Sequence, residues 1–186
     1  MHRQPLVITA ACSFTVAVVA VGYALLGWLP AVLFALGYVG GLILWLTLPT
    51  NLPVAAIRGP YFLTLALFVL HKLEERYLGF FPALSRITGI AVPEADSILA
   101  MLLYSFAAAW LLIPWLVGRG SPFGYFLAWT FFVSMGVTEL AHFAFPFLEE
   151  GPYRYFPGMA TALGLVPAAW WGILRMLTSD ASMRHG

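Results

Sequence analysis

The chain has 186 residues, of which 62% are apolar and only 9% charged; a soluble domain carries roughly 25% charged residues. That balance excludes a soluble, disordered or fibrous protein and predicts an all-α polytopic transmembrane helix bundle. Nine Lys and Arg against eight Asp and Glu leave a net charge of +1, too little basic excess for a nucleic-acid partner.

A helix needs about 20 mostly apolar residues to cross the hydrocarbon core. Six segments meet this or nearly do, at 6–29, 31–48, 61–78, 98–117, 123–145 and 156–177. The first follows Met1-His2-Arg3-Gln4-Pro5, like the start of a signal peptide. Its apolar run reaches Leu29, too long for a signal h-region, and no small-x-small cleavage site follows, so it reads as a retained span. Cys12, the single cysteine, lies inside it and reads as a small core residue. Pro30 separates the first two spans, and Pro49, Pro53 and Pro60 punctuate the next connection.

The longest connection, 79–97, carries Pro82, Pro93, Glu94 and Asp96, the two acids being expected at the start of the fourth helix. Gly37 and Gly41 in the second span, and Ala160, Gly164, Ala168 and Gly172 in the sixth, place a small residue every turn, which lets a neighbouring helix approach closely. Trp28, Trp45, Trp115, Trp170 and Trp171 fall near span ends, as interfacial anchors do. No domain boundary or β-barrel alternation interrupts the pattern, so residues 1–186 read as one bundle.

With six spans, Arg3, Arg58, Arg119, Arg175 and Arg184 share one side, and Arg76, Arg86 and Arg154 the other. The positive-inside rule then places both termini in the cytoplasm, the bundle lying in the cell (inner) membrane. Glu149 and Glu150 read as a solvated loop that Arg154 pairs with, and the terminal His2 and His185 as bystanders.

A charge at the bilayer centre costs about 2.5–3.5 kcal/mol, so intramembrane charges pair with one another and mark function. The third span reads Leu70-His71-Lys72-Leu73-Glu74-Glu75-Arg76. At 100° per residue His71, Glu74 and Glu75 share one face, with Lys72 and Arg76 flanking it. In the fifth span Glu139 and His142 are three apart, and Ser134 and Thr138 extend the same polar arc. His71 lies about 15 Å into its span and Glu139 about 24 Å into its own, at 1.5 Å per residue. The two helices run the same way, so both clusters fall in the non-cytoplasmic half. Two His and three Glu converge if the helices are neighbours. The sixth span then opens on that face with Tyr155-Phe156-Pro157-Gly158, Pro157 suiting a first turn and Tyr155 dropping its phenol toward the cluster.

These elements resemble the HXXEE-domain family of integral membrane proteins, defined by an HxxEE motif, a further histidine and a YxPG motif. Here they are His71-Lys72-Leu73-Glu74-Glu75, His142 and Tyr155-Phe156-Pro157-Gly158, in that order, within residues 60–175. The resemblance implies a site and no particular reaction.

Three chemistries fit the residues. His71, Glu74, Glu75, Glu139 and His142 supply enough donors for zinc or iron, with a spare carboxylate as general base. The zincin pattern HExxH and the paired ExxH of ferritin-like sites are both absent. Metal-free acid–base catalysis by Glu74, Glu75, Glu139 and Tyr155 on an isoprenoid- or sterol-like substrate is the second. A proton or ion path is the third, although no inverted repeat is evident. The expectation is a metal-dependent membrane enzyme, with membrane lipids around it and an apolar small molecule as substrate.

Overall fold

The apolar runs fold as helices, with no strand among the described residues. The computed structural model describes residues 4–48 and 52–182. Arg3, Pro49, Arg184 and the terminal histidines lie outside them.

Among the described residues, six helical stretches are long and apolar enough to cross a membrane. The first three are α1 (Pro5–Leu26), α2 (Trp28–Thr47) and α3 (Val54–Leu78). After the short α4 (Phe80–Thr88), the fourth crossing joins α5 (Ile98–Ala108) to α6 (Ile113–Gly118) through a 3-10 turn. The fifth contains α7 (Pro122–Val137) and α8 (Ala141–Ala144), and the sixth is α9 (Met159–Ser182).

Three boundaries differ from the sequence reading, each for a local reason. The break between the first two spans falls at Gly27, whose φ of +83° suits glycine, while Pro30 sits harmlessly in the first turn of α2. α3 begins at Val54, a turn and a half before Pro60, and runs through that proline. An internal proline forfeits one backbone bond; burial of Ile57, Pro60 and Tyr61, and a 3.1 Å bond from the Tyr61 hydroxyl to the Trp110 carbonyl, offset the loss. The connection 79–97 holds α4, bracketed by Gly79 (φ +77°) and Gly89 (φ +70°). Phe80, Ala83, Leu84 and Ile87 recur at helical spacing, and α4 buries Ala83 and Leu84 with Phe145 and Phe156. Ser97 caps α5 by accepting from Ala100 N, so Glu94 and Asp96 precede that helix and do not enter its first turn.

α7 is the central helix: every residue from Gly124 to Gly136 is buried. α2 and α9 pack on it, α3 packs along α9, and α1 lies against α2. The small-residue stripes serve these contacts. A Cβ on Gly41 would stand 2.6 Å from Thr130 Cα, and one on Gly37 would stand 3.1 Å from Ser134 Cα, so α2 docks backbone-close on α7. Gly172 receives the Phe132 ring in the same way. Trp45 departs from the anchor pattern: it is buried edge-on against Phe126, whereas Trp28, Trp115, Trp170 and Trp171 are exposed.

Candidate metal centre

Glu139 and His142 owe their common direction to a local tightening of the fifth span. Thr138–Leu140 is a 3-10 turn leading into α8. Side chains three apart eclipse in that geometry, so both point inward, toward α3. From α3, His71 and Glu75 project back from one helical face. All four are buried, and one donor atom from each lies within 4.8 Å of the other three.

The four donors lie at hydrogen-bonding distances that are close to the spacing of a coordination shell. His71 Nε2 lies 2.9 Å from Glu139 Oε2 and 3.2 Å from Glu75 Oε1. His142 Nε2 lies 3.1 Å and 3.4 Å from the same two oxygens. Donors held tetrahedrally about 2.0–2.1 Å from an ion stand about 3.3–3.4 Å apart.

The surrounding hydrogen bonds decide which ring nitrogens carry protons. His142 Nδ1 is 2.6 Å from the Pro157 carbonyl, which only accepts, so Nδ1 is the protonated nitrogen. His71 Nδ1 is 2.8 Å from Thr161 Oγ1, and that hydroxyl donates its single proton to Glu74 Oε2. His71 Nδ1 must therefore donate to Thr161. With Nδ1 of each ring donating outward, each Nε2 is turned to the two carboxylates, as a donor when the ring is protonated and as a free lone pair when it is neutral. His71 Nε2 is buried with no hydrogen-bond partner, an arrangement that a cation or an added proton resolves. The site could hold a metal ion through His71, Glu75, Glu139 and His142.

Glu74 stands apart from this group, although the sequence places it among the candidate ligands. It turns to the start of α9 and accepts from Gly158 N (2.9 Å), Ala160 N (3.2 Å) and Thr161 N (2.8 Å), and from the Tyr155 hydroxyl. Those amides are orphan donors of a helix N-terminus, where a carboxylate is favoured by the dipole. Burial and the neighbouring Glu74 carboxylate push the Tyr155 phenol above its ordinary value, which keeps it a donor at neutral pH. Tyr155 thus reaches Glu74 and not the four-residue group.

Pro157 and Gly158 precede α9 rather than opening it. Gly158 has φ of +99°, and a Cβ there would stand 2.8 Å from His71 Cε1 and closer still to the His142 ring. The YxPG segment is therefore a tight cover over both imidazoles, which meet edge to face at 4.6 Å. Phe80 of α4 closes another side, its ring 5.3 Å from that of His142. Ser134 and Thr138 do not extend the site: Ser134 faces Gly37, and Thr138 bonds back to the Ser134 carbonyl at 2.6 Å. Glu149 pairs with Arg86 at 2.9 Å, while Arg154 donates to the Glu150 carbonyl at 3.3 Å.

Three participants went unread in the sequence: Thr161, the Pro157 carbonyl and α4. Thr161 offered one signal, a hydroxyl one turn past YxPG in an apolar helix. No family model, curated protein or solved structure matches the chain.

Proposed function

We propose that the protein is a metal-dependent integral membrane enzyme acting on a lipid or other apolar substrate, with zinc or iron held by His71, His142 and Glu139. The observation that carries this reading is the pair of imidazole Nε2 atoms, turned inward by outer partners on Nδ1 and set 2.9–3.4 Å from two carboxylate oxygens. Buried charges either pair with one another or coordinate an ion, and two imidazoles with two carboxylates on one point are a ligand set for the second. Membership of the HXXEE-domain family is part of this proposal and rests on the order of the HxxEE, second-histidine and YxPG residues in the sequence.

The two carboxylates take different parts. Glu139 is the nearer to both imidazoles. Glu75 is farther from each, and its other oxygen is held by Lys72 Nζ at 2.6 Å. We assign Glu139 as ligand and Glu75 as the residue at the exchangeable position, where it accepts a proton during reaction. The ion would supply Lewis-acid activation of water or a carbonyl. His71 and His142 fix it through nitrogens whose orientation Thr161 and Pro157 set, and α4 and YxPG exclude water from the imidazole side.

Competition between the purified protein and a chelator for zinc tests the assignment. Glu139→Gln should weaken zinc binding more than Glu75→Gln does. Equal effects, or none in either variant, would overturn it.

A further inference from the structure

All four members of the group are buried, and the carboxylate side lies nearer the surface than the imidazole side. The side chains of His71 and His142 are 0% and 4% exposed, and those of Glu75 and Glu139 are 8% and 10% exposed. Lys72 lies on the carboxylate side, with its side chain 47% exposed and its ammonium 5.4 Å above the Phe68 ring. It faces both carboxylates, with Tyr104 of α5 also within electrostatic range. On the same side Val69 on α3, and Met101 and Tyr104 on α5, are exposed. They belong to segments apolar enough to cross a membrane, so the surface beside Lys72 meets acyl chains rather than bulk water. Arg76 lies one turn beyond Lys72, exposed in the last turn of α3.

Lysines near a span end ordinarily snorkel toward the interface. Lys72 ends on Glu75 Oε2, 2.6 Å away and one turn nearer the span end. The charges explain what it can accept there. A divalent ion is balanced by Glu75 and Glu139, so the ammonium of Lys72 stands as one uncompensated positive charge beside the exchangeable position. Glu74 does not supply the counter-charge, because it is spent on the N-terminus of α9.

Building on the metal reading, we infer that the centre takes a membrane amphiphile with an anionic head group, entering sideways between α3 and α5, and that Lys72 is the residue that binds the head. The head group follows Arg76 down one turn to Lys72 while the chain stays in lipid. Lys72 exchanges Glu75 for the incoming anion, which leaves the Glu75 carboxylate free as base. The same movement brings the substrate beside the ion and releases the group that acts on it.

The test uses full-length protein in phosphatidylcholine nanodiscs, zinc-loaded and chelator-stripped, with zinc content measured in each sample. The probes are dodecyl phosphate, dodecanol and inorganic phosphate. Zinc-loaded protein should bind dodecyl phosphate about tenfold or more tightly than dodecanol, a preference set by one desolvated charge pair, and should not bind inorganic phosphate. Lys72→Gln should lose the preference and keep its zinc, and Lys72→Arg should retain both. Stripping zinc should weaken dodecyl phosphate binding. Zinc-loaded protein with no preference for dodecyl phosphate, or one unchanged in Lys72→Gln, overturns the inference and leaves the metal reading standing. Equal binding of inorganic phosphate overturns the membrane route. Protein that takes up neither zinc nor iron overturns both readings.

Discussion

Replacing Thr161 with valine keeps the shape of the side chain and removes one hydroxyl. That hydroxyl is the single link between His71 Nδ1, at 2.8 Å, and Glu74 Oε2. Without it, a buried imidazole N–H loses its acceptor, which costs about 1–3 kcal/mol. The tautomer is also released: His71 is then free to carry its proton on Nε2, the nitrogen that must be bare to bind an ion. Loss of such an outer partner typically lowers metal affinity about 10–100-fold. At about 1.4 kcal/mol per tenfold, that is about 1.4–2.8 kcal/mol, the same range reached from the unpaired donor. Zinc competition against a chelator of known affinity reads the change directly, and Thr161→Ser should restore wild-type affinity. A valine variant that holds zinc as tightly as wild type would refute the hydrogen-bond assignment and the role given to His71.

Other consequences follow from the same geometry. Glu74→Gln should lower stability in thermal denaturation by about 1–2 kcal/mol, through weaker hydrogen bonds and the lost charge at the start of α9. Its metal content should be unchanged, because Glu74 faces the α9 amides. Gly158→Ala should abolish metal retention, since the new methyl meets both imidazoles and the φ of +99° disfavours it; elemental analysis of the purified variant checks this. Gly41→Ala should cost about 1–3 kcal/mol by forcing α2 away from Thr130, measured in the same denaturation assay, with metal retained in the folded fraction.

How much of this was legible in the sequence depends on the range of the interaction. The six crossings follow from apolar length, and the inward faces of His71 with Glu75 and of Glu139 with His142 follow from helical spacing. Glu74 illustrates the limit of spacing. It shares the face of His71 by periodicity, yet its partner is the amide cluster of α9, 84–87 residues away, and no local pattern announces a distant helix end. The Pro157 carbonyl was invisible for a similar reason: a backbone acceptor carries no sequence letter. α4 hid in a connection because its nine residues are too few to cross a membrane, although its apolar spacing was present. Trp45 looked like an anchor from its place near a span end, but the depth of a tryptophan depends on which helix faces it, here Phe126 on α7.

The central claim is that His71, Glu139 and His142 hold an ion, with Glu75 at its exchangeable position. Elemental mass spectrometry of protein purified in mild detergent without chelator measures this most directly, with a His71→Ala, His142→Ala double variant beside it. The account predicts near-stoichiometric zinc or iron in the wild type and loss of that metal in the folded double variant. Wild-type protein that carries no metal and takes up neither zinc nor iron when offered them would contradict it.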